Sequence, residues 1–380
     1  MKNQRRIILG ILSVTASLMA AISMVYAGGA YMAWSQRPLG PVLATPTFAQ
    51  LQLPATWTVT PLATVTFSPT QDFSTSAPEL SGLPPCYGLP SMTILAIGSD
   101  ARSDGYKYGR SDVIRVVRVD YISQRVSVLE FPRDLWVQIP EIYDNIGQDH
   151  DKLNTAYFYG NPGLHFWDDP SAGPGLLART LELNFGVKVD HYIAVSMQVF
   201  VDLVDALGGI DITLPQEVDG RTGSDRSARL YFPAGDQHLT GEQALTLGRI
   251  RNVSVFSRAK HENLVMCAVR KKVESPTVLT QLPQIIASFS NRIQTDLTPA
   301  QISQLACLGT TMPRSNIQFA SFPRELFVPS EIYDASLKQK VFIWDADFNK
   351  LSAYAEQFNA GTWPAQSTST EPDPEMSSCQ

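Results

Sequence analysis

The sequence predicts an α/β fold, a three-layer αβα sandwich with a mixed central sheet, preceded by one N-terminal transmembrane helix. Three observations carry this. Short apolar or β-branched runs alternate with stretches of helical spacing, the pattern of a sheet covered by helices on both faces. Two of the runs are joined by a loop of a few residues, so one strand pair is an antiparallel hairpin within the sheet. The chain also opens with an apolar run that holds no charged residue from Ile7 to Ser35.

That run is the first element. A helix needs roughly 20 apolar residues to cross the hydrocarbon core, and 7–35 is long enough. Lys2, Arg5 and Arg6 precede it, so residues 1–6 form a basic tail on the cytoplasmic side and the rest lies outside. A cleaved signal peptide is the competing reading, but its apolar core runs only about 7–15 residues. Residues 36–88 are crowded with Pro, Thr, Ser and Ala and carry little charge, the composition of an extended linker. Residues 361–380 read as a similar tail. The segment between, 89–360, is the extracytoplasmic domain of a single-pass protein of the cell membrane.

Within that domain, Met92 to Ile97 is a buried strand that delivers Gly98-Ser99-Asp100 at its end. Val113 to Val119 and Arg125 to Phe131 are the hairpin strands. Arg115 and Arg118 interrupt the first of them and, three apart, point to opposite faces. A helix follows over 172–185, with Leu176, Leu177, Thr180, Leu181 and Phe185 as its stripe and Gly186 as its stop. His191 to Val195 is a strand. Met197 to Leu207 is a helix with Phe200, Leu203, Val204 and Leu207 inward, closed by Gly208-Gly209. Ile210 to Leu214 alternates as a strand. Thr240 and Gln243 form a capping box for a helix to Leu247. Ser257 opens the next helix, to about Val273. Further helices are expected near 277–289, 299–309 and 346–357, with a strand at Ile317 to Ser321.

The net charge is −6, which argues against a nucleic-acid partner. The basic residues are instead gathered in clusters, which suits a local anion. The chain has 4 cysteines and none has metal-ligand spacing, which argues against zinc. Among the pairings open to them, Cys267 with Cys307 joins two apolar helical faces and Cys86 with Cys379 ties the two linkers; free thiols are the plain alternative.

The clusters are GSDAR at 98–102, GRSD at 109–112, PRD at 132–134, DKLN at 151–154, GRIRN at 248–252 and SRAKHE at 257–262. Nearly all combine Arg or Lys with Asp. Guanidinium forks match phosphate oxygens, and carboxylates hold the hard cation that accompanies a polyphosphate. Asp100 and Asp112 are a candidate Mg²⁺ (or Mn²⁺) pair; for either alone, turn capping is the simpler account, but Arg102 and Arg110 beside them favour a site. Arg133 and Asp134 are either a surface ion pair or a phosphate ligand with its orienting residue or base. Lys152 is either a solvated lysine or a point charge on phosphate. Arg249 and Arg251, if extended, project from one face. Arg258 sits in the first turn of a helix, an anion site; Glu262 one turn on is equally a plain salt-bridge partner for it. No GxSxG, HExxH or Cys–His nucleophile pattern occurs, so catalysis by this chain would rest on positioning and charge neutralisation.

In this order, with DALGG at 205–209 and QHLTGEQAL at 237–245 between them, the clusters over about 91–273 resemble the LytR-CpsA-Psr family. The resemblance implies a membrane-anchored phosphotransferase. Such an enzyme moves a glycopolymer from a polyprenyl-pyrophosphate carrier to a peptidoglycan hydroxyl of the cell wall, with the lipid tail in an apolar tunnel and the pyrophosphate at an Arg-rich mouth with Mg²⁺. By motif position Asp100 and Asp112 are the metal side. Arg102, Arg110, Arg133, Lys152, Arg249, Arg251 and Arg258 hold pyrophosphate, and Asp100, Asp134, Arg133 and Arg258 are the catalytic candidates. The helices between Leu176 and Leu207 are candidates for the tunnel, against the default of core packing. The family commonly has Arg-Gln-Gln where this chain has His261-Glu262-Asn263, and the acidic residue that usually precedes this helix is replaced by Val253-Ser254-Val255. The alternatives are a lipid-pyrophosphate hydrolase and a non-catalytic polyprenyl-phosphate or polyanion-binding module.

Overall fold

The computed structural model describes residues 29, 31–43, 86, 90–101, 106, 108–250, 255–289, 292–334 and 338–364. Its strands are β1 (Ser91–Ser99), β2 (Ser111–Asp120), β3 (Arg125–Glu130), β4 (Trp136–Gln138), β5 (His150–Lys152), β6 (His191–Ser196) and β7 (Ile210–Leu214). They continue as β8 (Val218–Asp219), β9 (Tyr231–Phe232), β10 (Gly235–Leu239), β11 (Gln294–Thr295), β12 (Ile317–Ser321), β13 (Phe327–Asp334) and β14 (Gln339–Ala346). The helices are α1 (Tyr143–Ile146), α2 (Leu153–Tyr159), α3 (Ala172–Phe185), α4 (Met197–Ala206) and α5 (Gly241–Arg249), then α6 (Val255–Val273), α7 (Pro276–Phe289), α8 (Pro299–Thr311) and α9 (Phe348–Ala360).

The central sheet has 6 strands in the order β11-β6-β1-β2-β3-β12. It is mixed: β1 is antiparallel to β2 and parallel to β6, and β12 is parallel to β3. The side-chain alternation of β1 feeds two cores. Leu95 and Ile97 pack with Leu176, Leu177 and Leu181 of α3 on one face, and Met92 and Ile94 pack with Leu308 and Met312 near α8 on the other. Helices therefore cover both faces.

Several elements form for the reasons their sequence declares. Thr240 caps α5 through the Gln243 amide, and the Gln243 side chain answers the Thr240 N–H at 2.9 Å. Gly186 ends α3 at φ 68°, and Gly208 and Gly209 end α4 at φ 76° and 77°, where a side chain is strained. The stripes of α3 and α4 lie in the apolar cores. In α4 the buried residues are Val199, Val201 and Val204; Phe200 and Leu203 are half-buried. The helix expected from Ser257 begins at Val255.

Other elements differ from expectation. The β13–β14 and β4–β5 hairpins and the short β8–β9 pair were not anticipated. A disulfide joins Cys86 to Cys307, with Cα atoms 5.5 Å apart, in place of both expected pairs, Cys267 with Cys307 and Cys86 with Cys379. Apolar spacing marks a helix face but not which neighbour that face meets. Cys86 packs in the α8 core with Leu308, whereas Cys267 packs against Val128 and Phe319, and it too is disulfide-bonded. Of the anchor at 7–35, residues 7–28 lie outside the described residues; among the described ones no helix is long and apolar enough to cross a membrane. Most of 36–88 and of 361–380 lies outside them as well. At 39–41 the chain runs along the sheet edge: Leu39 N–H donates to Leu297 O at 3.2 Å, and the Tyr192 hydroxyl donates to Pro41 O at 3.1 Å.

Candidate functional site

The C-terminal end of β1, the start of β2, the residues after β3 and the β5–α2 junction meet at one cleft of about 350 Å³. Its lining includes Asp100, Arg110, Asp112, Arg133, Asp134, Lys152 and Arg249. They come from five of the motif clusters, GSDAR, GRSD, PRD, DKLN and GRIRN, and the fold brings them together.

The aspartates are placed by two close backbone approaches and a bulge. Gly98 pairs with Val113 and Ser99 with Ser111, so Asp112 is the extra residue of β2. A bulge re-aims its side chain, and here Asp112 reaches the cleft, 9% exposed. A Cβ on Gly98 would lie 2.9 Å from Val113 Cβ, and one on Gly109 would lie 2.7 Å from Ala101 Cβ, so both positions need glycine. Asp100 stitches the base of the intervening loop. Its N–H donates to Arg110 O at 3.1 Å, and its Oδ1 accepts the Arg110 N–H at 2.6 Å. Tyr106, buried inside, donates its hydroxyl to Arg292 O at 2.7 Å and accepts the Ser196 N–H at 2.8 Å. The Arg110 guanidinium lies 5.6 Å from the Phe158 ring centroid.

Arg133 is the hub. Its Nη1 donates to Asp112 Oδ1, and its Nε donates to Asp134 Oδ2 at 3.3 Å. Lys152 Nζ donates to the other Asp134 oxygen at 3.3 Å. Burial works against the charged guanidinium, but Asp112 and then Asp134 outweigh it and hold the Arg133 pKa above its ordinary value. Lys152 is delivered by β5, whose pairing with β4 sets it opposite Trp136. Asn154 N–H donates to Arg133 O at 3.0 Å and locks the two segments.

Arg249 is the exposed last residue of α5, where a cation suits the helix dipole. It is therefore helical rather than the first of two extended arginines. Arg102 and Arg251 lie outside the described residues; Arg258 falls in the first turn of α6, with its side chain outside them too.

Asp151 and Asn154 of the DKLN cluster, which have no assigned role in the sequence analysis, also line the cleft, as do Thr155, Tyr159, Asp334 and Val341. Asp151 is 5% exposed and accepts the Tyr159 hydroxyl at Oδ2 and the Lys152 N–H at Oδ1, 2.7 Å away. Burial first, then Asp151, push the Tyr159 pKa up. The Asp of DKLN and the Tyr that follows it were visible as polar residues beside an apolar helix. Asp334 had no such signal, because it arrives on β13 from the far end of the chain.

This architecture has close counterparts. The model of the LytR_cpsA_psr family matches residues 88–355. The polyisoprenyl-teichoic acid–peptidoglycan teichoic acid transferase TagU of Bacillus cereus is 31% identical over 217 residues, 56% of this chain and 62% of TagU. The corresponding transferase TagV of Bacillus subtilis is 28% identical over 209 residues, 54% of this chain and 50% of TagV. The chain thus spans half to just under two thirds of the length of these relatives. The crystal structure of B. subtilis TagV shares the fold at a TM-score of 0.53 and 22% identity, covering 71% of this chain and 98% of that one. With the family match running from the strand before the first aspartate to beyond the β13–β14 hairpin, the chain belongs to the LytR_cpsA_psr family.

Proposed function

We propose that this chain is a membrane-anchored phosphotransferase that moves a glycopolymer from a polyprenyl-pyrophosphate carrier to a peptidoglycan hydroxyl, outside the cell membrane. The observation that carries the reading is the single cleft in which Arg110, Arg133, Lys152 and Arg249 meet Asp100, Asp112 and Asp134. The names of TagU and TagV, transferases from polyisoprenyl-teichoic acid to peptidoglycan, support the substrate class. The uncharged run from Ile7 to Ser35 supports the anchor.

The donor set fits a hard divalent cation. Mg²⁺ takes one or two carboxylates with phosphate oxygens and water, and Asp100 and Asp112 are two carboxylates that line the same cleft. Those residues would hold Mg²⁺ (or Mn²⁺), which supplies charge neutralisation to a pyrophosphate when bound. Arg110, Arg133, Lys152 and Arg249 bind and orient the pyrophosphate, with Arg102, Arg251 and Arg258 of the same motifs assigned to it by sequence. The acceptor hydroxyl oxygen attacks the sugar-proximal phosphorus, the bond to the bridging oxygen breaks, and polyprenyl phosphate leaves. Both Asp134 oxygens are engaged by cations, so Asp134 orients Arg133 and Lys152.

A labelled polyprenyl-pyrophosphate oligosaccharide tests this. Glycan joined to an added peptidoglycan fragment, with divalent cation required, is the expected result. Donor consumed without acceptor would instead identify a hydrolase, and retained lipid with no turnover a binding module. Unchanged lipid retention and turnover in Arg249→Ala with Arg251→Ala would overturn the site assignment.

A further inference from the structure

Two oddities of the sequence meet in the structure. Arg115 interrupts a β-branched strand, and Glu262 follows Arg258 by one helical turn in the basic SRAKHE cluster. Arg115 is 5% exposed. Its Nη2 lies 2.9 Å from Glu130 Oε2 and 2.9 Å from Glu262 Oε2, and its Nη1 donates to Asn263 Oδ1 at 2.7 Å. Glu130 is its cross-strand partner in β3. Glu262 and Asn263 belong to α6, and the guanidinium also sits 5.9 Å from the Phe319 ring centroid of β12. One side chain thus ties together three strands and a helix.

The same helix turn lies against the segment that carries Arg249. A Cβ on Gly248 would lie 3.6 Å from Glu262 Cγ, and His261 interacts with the Ile250 backbone. Gly248 and Ile250 flank Arg249, which lines the cleft. On the sheet side, Arg115 and Glu130 each stand three residues from a cleft residue, Asp112 and Arg133, in the same chain segments. The cluster therefore joins the two halves of the cleft from behind.

A buried cluster of this kind is a poor device for stability. Apolar residues of similar volume are often as stable or more so, because desolvating charges offsets their attraction. Here a single cation faces two carboxylates, each with its side chain 12% exposed. What a planar fork supplies is direction. We infer that Arg115 is a positioning residue: through Glu262 and Asn263 it clamps α6 to the β2–β3 end of the sheet, and so sets the place of Arg249 and of the helix turn that carries Arg258 relative to Asp112 and Arg133. This rests on the proposed reading of the cleft as a pyrophosphate site.

The test compares wild type, Arg115→Lys and the apolar triple variant Arg115→Met/Glu130→Leu/Glu262→Leu. Calorimetry with inorganic pyrophosphate and Mg²⁺ reads the cleft, thermal melting reads the fold, and the transferase assay reads kcat and KM separately. Positioning predicts that the triple variant melts at or above the wild-type temperature, yet binds pyrophosphate about tenfold more weakly, with kcat lowered and the acceptor KM unchanged. Arg115→Lys keeps the charge without the fork and should weaken binding in the same direction, which keeps the test decisive if the triple variant does not fold. The surface variant Arg221→Ala serves as an unaffected control. Folded variants that bind pyrophosphate as wild type does would overturn the inference alone. Wild-type protein that binds no pyrophosphate would overturn the reading of the cleft, and this inference with it.

Discussion

Replacing Arg133 by Met removes the cation that separates two buried carboxylates. Arg133 is 18% exposed in its side chain, Asp112 12% and Asp134 11%, and the guanidinium touches both acids. Lys152 remains on Asp134, but the contact to Asp112 is lost. Removing one partner of a buried pair typically costs about 3–5 kcal/mol. The cleft is open to water, so the lower end, about 3 kcal/mol, applies. For a domain of this size each kcal/mol moves Tm by about 2–4 °C, so Arg133→Met should melt about 6–12 °C below wild type at pH 7 in differential scanning calorimetry. Adding Asp112→Asn removes the carboxylate that lost its cation and should restore a large part of the loss. A single variant within about 2 °C of wild type would refute the hub, since the charge argument allows no such tolerance.

Other expectations follow from the same contacts. Tyr159→Phe deletes the donor to buried Asp151 and should cost about 2 kcal/mol, read by urea melts; an unchanged midpoint would mean that Asp151 is solvated from the cleft. Burial holds the His261 pKa below its ordinary value, so the unfolded chain binds that proton first as pH falls. The neutral imidazole therefore contributes stability that is present above about pH 6.5 and is lost as pH falls below it, and His261→Gln should flatten the slope of Tm between pH 6.5 and 5 relative to wild type. The Cys86–Cys307 bond closes a separation of 221 residues, so Cys86→Ser with Cys307→Ser should lose about 2–4 kcal/mol; equal melting of wild type and variant under non-reducing conditions would argue that the bond is not formed in the native protein.

Local signals identified most of the elements because their causes are local. The runs at Met92 to Ile97 and Val113 to Val119 are strands through β-branching and burial on both faces, and the α5 capping box is closed by atoms three residues apart. The motif series likewise marked cleft residues, because Gly98 and Gly109 sit where neighbouring side chains leave no room for a Cβ and the acidic and basic residues flank them. The β13–β14 hairpin escaped notice because its exposed positions break the alternation, with Val328, Tyr333 and Phe342 all facing solvent. Asp334 escaped with it.

The chain's own order of residues determined the kinds of group in the cleft, an excess of guanidinium and carboxylate, and the strands and helices that carry them. It did not determine who pairs with whom. That Asp134 is held between Arg133 and Lys152, that Glu262 turns to Arg115, and that Cys307 meets Cys86 were decided by tertiary packing. The physical reason is range: propensity, capping and burial period act over a few residues, whereas the partner of a charge or a thiol is whichever group the sheet order and helix packing bring within a few ångströms.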